Sequence, residues 1–268
     1  MSKTSTLEDT EKVQYIVEDH LATVTINRPE KMNAMDPETY QALSEAWINI
    51  RDDPSVWAAI VTGAGDKAFS AGADLEKTIQ PGEDGWDAFW RTQEEMILNR
   101  GLEVWKPIIA AVNGYCLAGG MTLLLATDIR IVGENASFGL SEVKRGILPG
   151  NGGTQRTIRQ LPHPIAMELL LTGDTISASN AYQYGLVNEV VPPDEVLSTA
   201  EAYAERLLSN APLATQAIKE LAIRGKSMPI SEGIRLEQSF GRHLRETKDA
   251  KEGVTAFREN RDPEWQGE

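Results

Sequence analysis

The sequence predicts an α/β fold, and three observations carry that prediction. Apolar runs of strand length alternate with stretches of helix length up to about residue 193. Near the middle, IAAVNGYCLAGGMTLLLATDI at residues 109–129 passes from an apolar strand through a glycine-rich turn straight into an apolar helix. From about Asp194 onward only helical patterns remain. The chain thus divides into an α/β part, residues 1–193, and a helical region, residues 194–268, with no strand of its own.

Taken in order, residues 1–11 are a polar tail. Residues 13–18 and 21–27 alternate as two strands around an Asp19-His20 turn. After a loop opened by Arg28-Pro29-Glu30-Lys31, Asp36-Pro37-Glu38 starts a helix, with Asp36 as N-cap and proline at the first position, where its missing N–H costs nothing. Asp52-Asp53-Pro54 stops it after about Arg51. Residues 58–62 form a buried strand, and KAFSAGADLEK, residues 67–77, reads as a loop. A helix carrying Trp86, Phe89 and Trp90 should run up to Asn99. Residues 108–112 are a strand broken by Asn113-Gly114, and residues 121–126 a buried helix. Strands follow at 128–132 and 137–139, then the loop Pro149-Gly150-Asn151-Gly152-Gly153 and a helix from Thr154. Helices at 196–209, 213–224, 230–245 and 254–260 complete the chain, punctuated by Pro212 and Pro229. Their apolar stripes need burial on the α/β part or on other subunits.

Composition narrows the functions. The 268 residues, 41% apolar, suffice for a substantial core. No window approaches the ~18 uninterrupted apolar residues of a membrane span, and the polar start MSKTSTLEDTEK lacks the apolar core of a signal peptide, so a soluble, cytoplasmic protein is expected. Cys116 is the only cysteine, which rules out an intrachain disulfide. With 40 acidic against 26 basic residues the net charge is −14, which opposes binding to nucleic acid. His20, His163 and His243 lie far apart without ligand spacing, so no metal site is expected. GAGDKA at residues 63–68 fits a relaxed dinucleotide fingerprint, but FSAGAD does not continue as the helix a Rossmann turn requires.

The chemistry is concentrated in two strings of small residues. Ala118, Gly119 and Gly120 lie at a helix start, where backbone N–H groups lack partners and suit an oxygen carrying negative charge. FSAGADL also follows a strand and can expose a second N–H. Two donors converging on one oxygen would form an oxyanion hole. Five blocks in fixed order, INRPEKMNAM, KAFSAGADL, IAAVNGYCLAGG, ASFGLSEVKRGILPGNGGTQR and LTGDTISASNAYQYGLVNEVV, resemble the enoyl-CoA hydratase/isomerase (crotonase) family over nearly the whole chain.

The resemblance implies a spiral of ββα units followed by a helical trimerisation region, giving a homotrimer or hexamer. It implies an acyl-CoA substrate, with coenzyme A as part of the substrate and no permanently bound cofactor. The thioester oxygen would sit between the N–H groups of Ala73 and Gly119, with Gly150 offering another N–H nearby. CoA would run along Lys31, Ala71, Ala73 and Leu75, and Phe257 would touch it from a neighbouring subunit. Asn260 stands where well-known hydratases carry a phosphate-binding lysine, a contact that Arg258 or Arg261 would have to supply. The loop from Lys77 to Trp90 lies where the family closes the acyl pocket, and its Trp86, Phe89 and Trp90 would favour a bulky or cyclic acyl group. Asp74 and Asp128 fit turn and capping roles.

Hydratases of the family use two glutamates. Glu142 matches the second, and burial beside an apolar substrate should raise its pKa toward the range useful for proton transfer. Thr122 occupies the first position, and its hydroxyl can hold a water but cannot act as a base at pH 7. One carboxylate suffices to move a double bond by taking a proton from C2 and returning it at C4. Hydration remains open too, because relatives acting on aryl-propenoyl thioesters pair FGLSE with a small hydroxyl residue. Those enzymes then cleave their product with help from a tyrosine of the helical region, for which the neighbourhood of Phe240 offers no counterpart. Hydratase or isomerase chemistry is the leading reading, with hydratase-lyase or decarboxylase chemistry on a bulky acyl-CoA as the alternative.

Overall fold

The computed structural model describes residues 12–78 and 97–268. The expected helix carrying Trp86, Phe89 and Trp90 lies outside the described residues except at its end, where Leu98–Arg100 is a 3-10 turn.

Two sheets organise the chain. The larger joins β1 (Val13–Glu18), β2 (Leu21–Ile26), β3 (Ala58–Gly63), β5 (Ile108–Val112), β7 (Ile129–Gly133) and β10 (Glu189–Val191) in that order. Only the β1–β2 hairpin is antiparallel. The smaller joins β4 (Ala68–Ser70), β6 (Tyr115–Leu117), β8 (Ser137–Gly139) and β9 (Thr175–Ser177).

The apolar runs of β3 and β5 have a direct explanation: successive side chains enter two different cores. Ala59, Val61, Ile108, Ala110 and Val112 join the main cluster, which includes Trp47 of the helix Pro37–Asp52. Ile60, Ile109, Ala111 and Ile131 face the other way and meet Val196, Ala200 and Ala204 of the helix Val196–Leu208. A strand covered on both faces has no polar side to show.

The two sheets are wound together. β3 enters the large sheet and β4 the small one; β5 and β6, then β7 and β8, repeat the step. Each pair is followed by a short helical segment: Leu75–Thr78, Gly119–Leu124 and the 3-10 turn Ser141–Arg145. This is the expected spiral of ββα units. Since β4, β6 and β8 lie side by side and parallel, their C-terminal ends emerge together.

Several elements differ from the sequence reading. Residues 67–77 hold β4 and a short helix, and β6 and β9 are three-residue strands, too short to show a period. The helices His163–Thr172 and Ala178–Gln183 also had no clear apolar rhythm. The last helix begins at Lys248, six residues before its apolar stripe, because Thr247 caps it by accepting from the Ala250 N–H at 3.1 Å. Asp128 is structural as expected: its carboxylate accepts from the Ile108 N–H at 2.7 Å and pairs with Lys219 at 2.7 Å. No helix among the described residues is long and apolar enough to cross a membrane.

The C-terminal helices are unevenly used. Val196–Leu208 buries its apolar face on the sheet, whereas Ile230–Leu244 buries no residue at all. Ile230, Val254 and Phe257 are 80%, 52% and 87% exposed.

Candidate active site

Three consecutive ββα units each deliver one component to a single cavity of about 370 Å³. After β4 the chain lays Ala71, Ala73 and Leu75 along its wall; after β6 come Gly119 and Thr122; after β8, Glu142. Gly150 lines it as well. Parallel strand ends carry these residues together although they lie up to about eighty positions apart.

The direction of the backbone donors follows from local pairing. Met35 donates its N–H to the Gly72 carbonyl at 2.7 Å, and Asp74 donates to the Met35 carbonyl at 2.9 Å. Ala73 lies between those groups in an extended bridge, so its own N–H points away from Met35. Gly119 is the first residue of its helix, where an N–H has no intrahelical acceptor. Ala118 caps that helix at φ 47° and ψ −116°, a backbone conformation strained for a residue with a Cβ.

Two glycines let the components meet. A Cβ on Gly72, whose φ is +94°, would lie 2.7 Å from the Gly119 nitrogen. One on Gly120 would lie 2.4 Å from the Ser70 carbonyl oxygen at the end of β4. Both contacts are closer than any real Cβ tolerates, so the two donor segments touch only because these side chains are absent.

Glu142 is partly buried, and its Oε2 is fully enclosed without a hydrogen-bond partner. Burial pushes its pKa up; its own backbone N–H and the charge of Arg145 pull the other way without cancelling the effect. Thr122 is buried, donates its hydroxyl to the Gly119 carbonyl at 2.9 Å and accepts from Asn99 Nδ2 at 2.9 Å. The one donor proton of that hydroxyl is therefore committed, and only acceptor capacity remains for a water.

Lys31 and Phe257 do not line this cavity. Lys31 is exposed at the end of the 3-10 turn Pro29–Lys31, next to the lining residue Met32. Phe257 lies on a separate, largely apolar surface groove with Val254 and Trp265. Asp74, instead of entering the cavity, pairs with the buried Arg28 at 3.2 Å. Sequence reasoning passed over Gly72 and Asn99. The first was visible as one more small residue in FSAGADL; the second carried no signal, because only folding sets it against Thr122.

An α/β spiral that gathers two backbone donors and a carboxyl with one enclosed, unpartnered oxygen at three adjacent strand ends is a crotonase-type enzyme. The chain belongs to the enoyl-CoA hydratase/isomerase family, whose model matches residues 17–268. It is 45% identical to (E)-benzylidenesuccinyl-CoA hydratase of Thauera aromatica over 94% of this chain and 97% of that one. It is 43% identical to carnitinyl-CoA dehydratase of Salmonella enteritidis over 91% and 94%. Its structure superposes on an enoyl-CoA hydratase of Bacillus anthracis with a TM-score of 0.87 at 35% identity, covering 96% of this chain and all of that one. An enoyl-CoA hydratase of Mycobacterium tuberculosis gives 0.85 at 36% identity, with 97% of this chain covered and 100% of that one. The protein is thus an enzyme of a family that acts on acyl-CoA thioesters.

Proposed function

We propose that this enzyme hydrates the double bond of a 2-enoyl-CoA reversibly, through a thioester enolate, with Glu142 as its single acid/base. The observation that carries the reading is the enclosed Glu142 Oε2, without a hydrogen-bond partner, on a residue that lines the same cavity as Ala73 and Gly119. As water attacks C3, the Glu142 carboxylate takes its proton, and the electrons of the double bond move onto the thioester oxygen. The N–H groups of Ala73 and Gly119 stabilise that oxygen, and the protonated Glu142 then returns its proton to C2. The elements of water are added and the enzyme is restored. A raised pKa suits both halves, since the group must accept and donate a proton near neutral pH. Thr122 orients the water by accepting a hydrogen bond, and Gly150 adds a nearby N–H.

Relatives named as a hydratase and a dehydratase support hydration. The commitment of the Thr122 hydroxyl favours a second reading, double-bond isomerisation, which needs one base and no water. Assaying 2-enoyl-CoA hydration beside 3-enoyl-CoA isomerisation separates the two: conversion of the 3-enoyl substrate alone defeats the first reading.

CoA runs along Ala71, Ala73 and Leu75, with Lys31 beside the cavity mouth meeting phosphate. Phe257 and the exposed faces of the helices Ile230–Leu244 and Lys248–Glu259 meet a second copy of the chain in a cytoplasmic homotrimer or hexamer, where Phe257 reaches the neighbour's CoA. Sedimentation of a monomer at micromolar concentration would refute that assembly.

A further inference from the structure

Next to the catalytic cavity lies a second one, of about 550 Å³, whose wall includes Arg100, Arg156 and Arg159. We propose that it is an anion subsite for a second carboxylate on the acyl group, so that the preferred substrates are CoA thioesters of dicarboxylic acids. The proposal rests on the acyl-CoA reading above and names its substrate class.

The two cavities share Asn151, and Asn99 joins them through its hydrogen bond to Thr122. Thr122 stands three residues beyond the oxyanion donor Gly119, while the path assigned to CoA leaves along Ala71 and Leu75. The arginine cavity therefore adjoins the Thr122 side of the catalytic cavity, through Asn151 and Asn99. Among the described residues, neutral oxygens hold the guanidinium groups of Arg156 and Arg159. Arg156 Nη1 donates to the carbonyls of Asn99 at 3.0 Å and Asn151 at 3.1 Å, and Arg100 Nε donates to Asn151 Oδ1 at 2.9 Å. Among the described residues, Arg159 bonds only to Gln155.

None of the carboxylates among the described residues pairs with Arg156 or Arg159, in a chain whose acidic residues outnumber its basic ones by 40 to 26. Arg156 is also half-buried, and desolvation pushes its pKa down, the mark of a cation lacking the anion that would offset burial. A planar guanidinium matches a carboxylate in a paired hydrogen-bond geometry. Asn99, 4% exposed, adds a buried Oδ1 without a partner in the same wall, an acceptor for a water or hydroxyl accompanying the ligand.

The test measures Kd by calorimetry on the full chain for thioesters paired by carbon number: glutaryl- and pentanoyl-CoA, adipyl- and hexanoyl-CoA, suberyl- and octanoyl-CoA. At least one dicarboxylyl member should bind about tenfold or more tightly than its neutral partner, the scale of one charge-assisted hydrogen bond. Arg156→Gln and Arg159→Gln should each narrow that ratio. The exposed Arg159 keeps the test available if the Arg156 variant does not fold. Neutral thioesters that bind with no preference in any pair, or a preference that neither substitution changes, overturn the subsite and leave the hydratase reading standing. Failure of all six thioesters to bind overturns both.

Discussion

Asp36 and Glu142 are both drawn out of solvent, and their surroundings are opposites. Asp36 is 1% exposed, and Lys12, Lys77 and Arg28 approach it at 2.8, 3.1 and 3.5 Å while Thr39 donates twice. Burial works against its charge, but the hydrogen bonds from Lys12, Thr39 and Lys77 outweigh it and hold the carboxyl well below the usual range. Glu142 has an enclosed oxygen with no partner, and burial raises its pKa. A buried carboxylate surrounded by cations is locked in one protonation state and serves the fold. One left without a partner retains a mobile proton and is available to chemistry, at a cost to stability.

The comparison breaks most readily at Glu142. Glu142→Gln should lower kcat on the true substrate by about 10²- to 10⁴-fold, the usual worth of a general acid/base. Unchanged turnover in a steady-state assay would refute the role assigned to it. Gly72→Ala comes next: it forces a Cβ into the Gly119 nitrogen, and loss of one oxyanion donor costs about 2.7–4 kcal/mol of transition-state stabilisation. The expected signature is a fall in kcat larger than any rise in the dissociation constant of a saturated acyl-CoA.

Asp36→Ala should spare the chemistry and cost about 1–2 kcal/mol of stability in urea titration, chiefly through the lost cap, since Arg28 keeps its pairing with Asp74. The sign of its pH dependence is fixed. Because the folded pKa is depressed, the Asp36 contribution is present above the ordinary value of 3.8 and is lost as the pH falls below it. The variant should therefore approach the parent in strong acid.

The smallest effect is the most discriminating. With its folded pKa raised, Glu142 favours the folded state below its ordinary value of 4.5 and loses that contribution as the pH rises through the folded pKa. Glu142→Gln should thus melt higher than the parent at pH 7, with the gap closing toward pH 4.5. A variant melting lower at pH 7 would mean that the carboxylate is stabilised by a partner, against the contrast drawn with Asp36.

Much of the fold was legible because its strands bury both faces. Residues 58–62 and 108–112 could be recognised as apolar runs, and Asp36-Pro37 as a helix start, because burial and capping act locally on the residues concerned. Of the small sheet only β8, residues 137–139, was legible. Its strands are three residues long, and the units that build it share a geometry without sharing a sequence motif. Of the site, Ala73, Gly119, Thr122, Glu142 and Gly150 were placed through the family resemblance, and the cavity brings all of them together. Asn99 was not found, since nothing along the chain marks a residue that matters only by its contact with Thr122.

The sequence by itself determined the strand and helix alternation, the family, and the absence of a carboxylate at position 122. Those are properties of local pattern and residue type. Only the tertiary structure decided which groups keep a partner: that the Thr122 proton is committed to Gly119, that Asp36 is neutralised, and that among the described residues neither Glu142 nor Arg156 is paired with an opposite charge. Charges and hydrogen bonds act over a few ångströms in space between residues far apart in the chain, and that proximity exists only once the strand ends have been brought together.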